Sequence, residues 1–480
     1  MARALPVRNP RSGEADYTLV PASAATVRAR VAELRRAQPG WRALGVGGRI
    51  DVLRRWQAAL RHAAPAVQQA LSLDTGRNRL AASEIGGLIG GIERWCALAP
   101  DLLQGVSQDA QALPDVEILL ESEPYAVLGA ISPWNFPLLL SFIDATPALL
   151  AGSAVAIKPS EVTPRFAEPL RESIAEVPEL AAVLDIVPGD GETGAALIGE
   201  VDVVAFTGSV ATGRKVAVAA AEAFIPAFLE LGGKDPAIVL PGSDLERAAT
   251  AVLRASVAAT GQACQSLERL YVHDTQAAAF VDLLAAKAGA LELTAADPSR
   301  GSIGPLIFER QAAIIREHLD DAREKGATVV CGGEVRQIDG GWWIAPTVLA
   351  DVDHSMQVMT AETFGPIMPV MRYSDIDTAV ELANDSIYGL SGAVFGPDEA
   401  EAVAVGRRMN AGGVSINDAG LTTMLFETEK SAFGFSGMGP SRVGASGLTR
   451  FLRRKSLYVN RGDVLGVEIF SEQGFDEQDD

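Results

Sequence analysis

Cys264 closes the run Thr260-Gly261-Gln262-Ala263-Cys264, a setting that suits a reactive thiol. Gly261 can break the helical run before it and let the thiol face a cleft. A free cysteine is also an ordinary apolar filler of protein cores. Cys96 and Cys331, which lack such company, read that way. Only the thiolate attacks, so the thiol needs activation. A cysteine protease would use a histidine for this. His62, His273, His318 and His354 stand in no such setting, and His273, ending the strand-like LERLYVH, reads as a surface residue. Glu230 is the better base. In FLELGG it alternates with apolar neighbours at a strand end, where a carboxylate is costly to bury without purpose. A glutamate satisfied by backbone amides would explain the same position.

A second group of residues suits a nucleotide. Gly189-Asp190-Gly191-Glu192-Thr193-Gly194 matches GxGxxG between a strand-like run and a helix. A tight glycine turn explains it as well, and no ribose-binding acid follows about 20 residues downstream. GSVATGRK at 208–215 resembles a phosphate loop but lacks the GK[ST] ending, which argues against an ATPase. It still makes sense as an anion site. Gly208 lets the backbone approach closely, and Ser209 stands at a helix entrance whose free N–H groups would face a pyrophosphate. Lys158 and Glu161, in KPSEVTP, suit the two hydroxyls of a ribose, and a carboxylate there would repel a 2′-phosphate, favouring NAD over NADP. A surface charge pair before a Pro-capped helix is the plainer alternative.

The elements that must position these groups follow from periodicity. Residues 23–103 read as helical, with apolar positions at helical spacing. VEILLESEPYAVLGAIS gives two β-like runs around Glu123-Pro124. Strands and helix-length segments then alternate as far as FLELGG, which implies βαβ units and a parallel sheet with covered faces. Asn135, Lys158 and Gly208-Ser209 fall just beyond strand ends, where such a sheet binds ligands. Residues 233–435 restart the alternation as a second α/β domain. The last ten residues, SEQGFDEQDD, read as a solvated acidic tail.

The chain has 480 residues, enough for two or three domains, with 48% hydrophobic and 21% charged residues, as in globular proteins. A net charge of −20 excludes the basic face that nucleic acid or an anionic membrane needs. No apolar signal-like region opens the chain, no stretch approaches the ~18 apolar residues of a membrane span, and three distant cysteines make no disulfide framework. A cytoplasmic protein is expected, and no metal.

The sequence resembles the aldehyde dehydrogenase superfamily through PWNFP at 133–137, KPSE at 158–161, FTGS at 206–209, LELGG at 229–233, GQAC at 261–264 and ETFGP at 362–366, in family order over roughly residues 20 to 460. The resemblance implies an α/β fold with a Rossmann-like cofactor domain (1–108 and 125–232), a catalytic domain (233–435), and a small β oligomerisation flap with the tail (109–124 and 455–480). It implies a homodimer or homotetramer. It makes Cys264 the nucleophile toward an aldehyde, with an oxyanion held by the Asn135 amide and the Cys264 N–H, then a thioester that water attacks with Glu230 as base. It places Trp134, Lys158, Ser160, Glu161, Gly191, Phe206, Gly208, Ser209, Leu231, Gly232, Glu362 and Phe364 around NAD, with NADP possible. Glu230 implies hydrolysis, because members that acylate coenzyme A generally lack it.

Phe136, Leu139, Leu140 and Phe142, with Met424, Leu425 and Phe426, are expected to line a mainly apolar tunnel. No obvious arginine cluster awaits a second carboxylate. An apolar aliphatic or aromatic aldehyde is the expected substrate, with a semialdehyde, or a nucleotide-independent cysteine acyl-transferase or esterase, as alternatives. The stretches DAGLTTMLFETEKSA and SAFGFSGMGPSRVG depart from the family pattern.

Overall fold

The computed structural model describes residues 4–470 and 472, so the expected acidic tail lies outside the described residues except for Glu472. Three long helices, Ala24–Ala43, Gly45–Thr75 and Asn78–Leu102, match the helical reading of 23–103. A two-stranded hairpin, Leu5–Arg8 with Ala15–Leu19, precedes them.

Two sheets carry the architecture. The first runs Gly437–Met438, Ala227–Glu230, Val203–Thr207, Val127–Ile131, Ala154–Lys158, Leu184–Ile186, parallel except for its first member. Its earliest parallel strand, Val127–Ile131, lies inside the sheet, and later strands add on both sides. The chain therefore reverses direction of growth beside that strand, which opens a crevice at the carboxyl ends. The second sheet runs Thr328–Cys331, Thr347–Ala350, Ile367–Tyr373, Leu267–His273, Asp235–Val239, Ser391–Phe395, Gly413–Ile416, parallel except for its first strand.

The third sheet is small and antiparallel: Leu452–Asn460, Val116–Pro124, Val106–Asp109. Its strands begin slightly earlier than the flap boundaries expected from sequence, because pairing starts at Val106 and Leu452. Among the described residues no helix is long and apolar enough to cross a membrane.

The helix Pro137–Ala151 shows how the long helices position the site. Its N-cap, Phe136, has no side-chain acceptor to offer. Glu84, from a different helix, substitutes, accepting from the N–H groups of Leu138 and Leu139 at 3.0 Å each. At the other end, Trp41 Nε1, Arg49 Nε and Gln38 Nε2 donate to the carbonyls of Leu149, Leu150 and Gly152 at 2.8, 3.0 and 2.9 Å. Helix-end groups that would otherwise be orphaned are thus satisfied, and the arginine suits the negative end of the helix dipole. Burial pushes the Glu84 carboxyl up to about 7, against the pull of those amides and Arg77.

Candidate active site

The loop before the thiol is strained and heavily anchored. The helix Leu245–Val257 ends before Gly261, and Ala259 and Thr260 already take left-handed φ values of 53° and 62°. The break expected at the glycine thus starts two residues earlier. Non-glycine residues in this region cost about 1–3 kcal/mol each and persist only where neighbours over-determine them. Here Thr260 Oγ1 donates to Gly304 O at 3.2 Å, and Gln262 Nε2 donates to Ala259 O and Pro305 O at 3.1 and 3.2 Å. Gln262 Oε1 accepts from Ile307 N at 2.9 Å. Gly261 serves a different purpose, close approach. A Cβ there would lie 2.2 Å from the Gly365 carbonyl carbon.

Cys264 is half-buried. Burial, with the carboxylates of Asp235, Glu362 and Glu230, pushes its thiol up to about 12, while Arg442 pulls the other way. At rest the Cys264 side chain is therefore a thiol, and generating its thiolate needs a base.

Asn135 is fixed beside this loop. Its Nδ2 donates to Gln262 O at 2.9 Å, so one amide hydrogen is anchored two residues before the thiol and the other has no acceptor among the described residues. Buried Arg77 donates to the Asn135 carbonyl and stacks on the Phe136 ring at 5.3 Å. Glu230 ends its strand on the first sheet, and its carbonyl accepts from Gly208 N at 3.1 Å. Its side chain is 21% exposed, and Arg442 Nε approaches Oε1 at 3.7 Å.

The loop 362–366 comes from the amino end of the strand Ile367–Tyr373. Glu362 Oε1 accepts from Gly233 N at 3.1 Å, and burial beside Glu268 pushes its carboxyl up to about 8. Phe364 has φ 53° and stacks edge-on against Trp134 at 5.4 Å. Glu268 holds this bend, accepting from the N–H groups of Thr363 and Phe364 at 2.7 and 2.8 Å and from Lys234 Nζ at 2.7 Å.

At the carboxyl ends of the first sheet, Lys158 Nζ lies 3.3 Å from Glu161 Oε2. Ser160 Oγ accepts from Val162 N at 3.2 Å. The helix Val210–Glu222 is capped by Ser209, whose Oγ accepts from Thr212 N at 3.3 Å. Among the described residues the N–H groups of Val210 and Ala211 find no acceptor in the chain. The Phe206 ring approaches so closely that a Cβ on Gly208 would lie 2.5 Å from it. Free amides, a close backbone approach and a Lys–Glu pair fit a dinucleotide's pyrophosphate and ribose. The turn at Gly191 differs. Asp190 Oδ1 accepts from both Glu192 N and Thr193 N there, so the first donors of that helix are committed internally. Leu231 N donates to Ser436 O at 2.8 Å and Gly232 O accepts from Ser436 Oγ at 2.7 Å, which fixes the segment after Glu230.

A sequence profile described as the aldehyde dehydrogenase family matches residues 1–457. The chain belongs to the aldehyde dehydrogenase family. This aldehyde dehydrogenase is 51% identical, with a TM-score of 0.96, to a solved protein from Anabaena variabilis described as an aldehyde dehydrogenase, PutA, over 97% of this chain and 99% of that one. It is 33% identical to a Mycobacterium ulcerans protein named as a succinate-semialdehyde dehydrogenase [NADP(+)], over 94% of this chain and 87% of that protein. It is 35% identical to geranial dehydrogenase of Castellaniella defragrans, over 87% of each chain.

In this aldehyde dehydrogenase, Phe136, Leu139 and Leu140 are half-buried near Asn135. Phe142 is not part of that lining. It is buried and packs on Trp56 with ring centroids 5.3 Å apart, because the helix turns that position into the core. Phe426 lies under the Arg94 guanidinium at 4.5 Å, while Met424 and Leu425 are exposed.

Sequence reasoning missed Arg77, Glu84, Gln262, Glu268 and the pair Arg442 and Lys430. The clue available for Glu268 was an adjacent acid and base, Glu268-Arg269, inside the strand-like LERLYV. Arg442 and Arg450 lie near Glu230, but both pair with Asp144.

Proposed function

We propose that this aldehyde dehydrogenase oxidises an apolar aliphatic or aromatic aldehyde to its carboxylic acid, with NAD preferred and NADP possible. The observation that carries the mechanism is the Asn135 amide anchored at 2.9 Å to Gln262 O, two residues from Cys264. The Cys264 thiol gives its proton to solvent as the sulfur bonds to the aldehyde carbon, and the carbonyl oxygen becomes an oxyanion. The free Asn135 N–H and the Cys264 backbone N–H hold that oxyanion, each donor worth about 3–4 kcal/mol of barrier. Trp134, Lys158, Ser160, Glu161, Phe206, Gly208, Ser209, Leu231, Gly232, Glu362 and Phe364 would surround the dinucleotide, with Gly191 at the rim. The chemistry that a bound nicotinamide supplies is hydride acceptance, which turns the thiohemiacetal into a thioester. Glu230 takes a proton from water as the water oxygen bonds to the thioester carbon. The carbon–sulfur bond then breaks, its electron pair leaves on sulfur, and the acid is released.

The half-buried Phe136, Leu139 and Leu140, with Phe426, favour an apolar substrate, and the geranial dehydrogenase relative agrees with that. The second reading, a semialdehyde, is favoured by Lys430 and by the name of the Mycobacterium ulcerans relative. A nucleotide-independent esterase would leave the Lys158–Glu161 pair and the free amides before Gly213 without a role. Glu161, 42% exposed, favours NAD by repelling a 2′-phosphate. A cytoplasmic homodimer or homotetramer assembled through the small sheet completes the reading.

The test is reduced-nucleotide formation at 340 nm with NAD and NADP, over hexanal, benzaldehyde and succinic semialdehyde. Turnover is expected fastest with the first two and NAD. A clear lead for succinic semialdehyde would replace the apolar reading with the second one.

A further inference from the structure

The segment that departs from the family pattern delivers Arg442 behind the proposed base. Its Nη2 donates to Asp144 Oδ2 and to Thr207 Oγ1, both at 2.7 Å. Its Nε lies 3.7 Å from Glu230 Oε1, is buried, and has no hydrogen-bond partner among the described residues. Asp144 is itself shared, since its other oxygen pairs with buried Arg450. Arg450, Asp144, Arg442 and Glu230 therefore form a row of alternating charges, supplied by different parts of the fold. Burial alone would push the Asp144 carboxyl up, but the two arginines hold it below its ordinary value. A firmly ionised Asp144 keeps Arg442 in place.

Other charges face Glu230 as well. Cys264 and Lys430 lie close enough to interact with it, and Arg450 acts from behind Arg442. Lys430 Nζ also donates to the Thr422 carbonyl. Among the described residues Arg442 is the one cation within 4 Å of this carboxylate, and its buried Nε has no other partner. A guanidinium keeps its proton in proteins, so it serves as a fixed charge and not as a proton carrier.

We propose that Arg442 is a positioning residue that holds the Glu230 carboxylate aimed beside Cys264 for the attack of water on the thioester. The inference rests on the reading of Glu230 as base. Water's proton passes to Glu230, its oxygen bonds to the acyl carbon, and the electron pair of the broken carbon–sulfur bond stays on sulfur. Arg442 takes no proton. It keeps the base in place for the water that attacks the thioester.

The test compares wild type, Arg442→Gln, Arg442→Lys and Glu230→Gln in single turnovers with NAD and an aldehyde that wild type oxidises. NADH at 340 nm follows acylation, and acid-quenched carboxylic acid follows deacylation. In Arg442→Gln, deacylation should slow by about tenfold or more. Acylation should fall much less. Equal loss in both phases would show a merely structural role and overturn the inference. Should Arg442→Gln not fold, Arg442→Lys carries the test, because one point charge cannot serve Asp144, Thr207 and Glu230 together. Deacylation slowed selectively in that variant supports the inference, and a wild-type rate overturns it. Glu230→Gln separates the two levels. Fast deacylation there sinks the reading of Glu230 and the inference with it. Slow deacylation there, with Arg442→Gln unaffected, sinks the inference alone.

Discussion

The two large sheets meet the cleft with opposite ends. The first offers the carboxyl ends of its strands, and from them come Asn135, Lys158, Gly208, Ser209 and Glu230. The second offers amino ends. Asp235 starts one of its strands, Cys264 stands just before Leu267, and Glu362 and Phe364 just before Ile367. The rule that parallel sheets bind ligands at carboxyl ends thus describes only one of them. The second sheet instead hangs short, strained loops over the first sheet's crevice and pins them with buried polar side chains. Reaction and cofactor recognition should divide along much the same line, crossed by Asn135 and Glu230 from the first sheet and by Glu362 and Phe364 from the second.

The sharpest probe of that division is Cys264→Ala. Turnover should fall by roughly 10⁴-fold or more, while NAD affinity, followed by quenching of tryptophan fluorescence, stays within about threefold of wild type. A parallel loss of NAD binding would mean that the thiol loop itself helps to build the cofactor site.

Asn135→Ala comes next. Loss of one oxyanion donor should lower kcat by about 10²–10³-fold with little change in the KM for NAD. An effect confined to KM would return Asn135 to the first sheet's binding role. On the cofactor side, Lys158→Met should raise the KM for NAD about tenfold, as for a lost hydrogen bond to a charged group, and spare single-turnover acylation at saturating NAD.

The thiol gives a pH test of the second sheet's buried setting. With its pKa raised to about 12 in the free protein, the thiolate fraction rises about tenfold per pH unit below that value. Alkylation of Cys264 by iodoacetamide, mapped by peptide mass, should therefore climb from pH 7 to 10 without levelling. A plateau below pH 9 would show that the thiol is already activated at rest. The smallest expected effect contrasts two turns of the first sheet. Asp190→Ala should cost about 1 kcal/mol of stability through loss of a helix cap and leave the KM for NAD unchanged. A several-fold rise in that KM would restore Gly191 to the cofactor site.

Legibility followed distance along the chain. Cys264, Glu230 and Asn135 sit in short motifs whose neighbours are enough to mark them, and the strand–helix alternation announced both α/β units. The supports around them could not be seen that way. Glu84 caps a helix 54 residues downstream, Glu268 holds a loop 95 residues away, and Arg442 reaches Asp144 across 298 positions. Each is an ordinary charged residue until the fold brings its partner. Phe142 fails for the converse reason. Next to motif residues it looked like lining, but one helical turn was enough to aim it at Trp56.

The contrast between Gly261 and the exposed residues 423–425 has a consequence for engineering. The backbone of the thiol loop abuts Gly365 so tightly that neither strand of that contact has room to vary. Met424 and Leu425, by contrast, are exposed and make few commitments. On the proposed lining, libraries that diversify 423–426 should re-aim the enzyme at new aldehydes and leave Cys264, Glu230 and Asn135 untouched, which would make selectivity and reactivity separable traits in this scaffold.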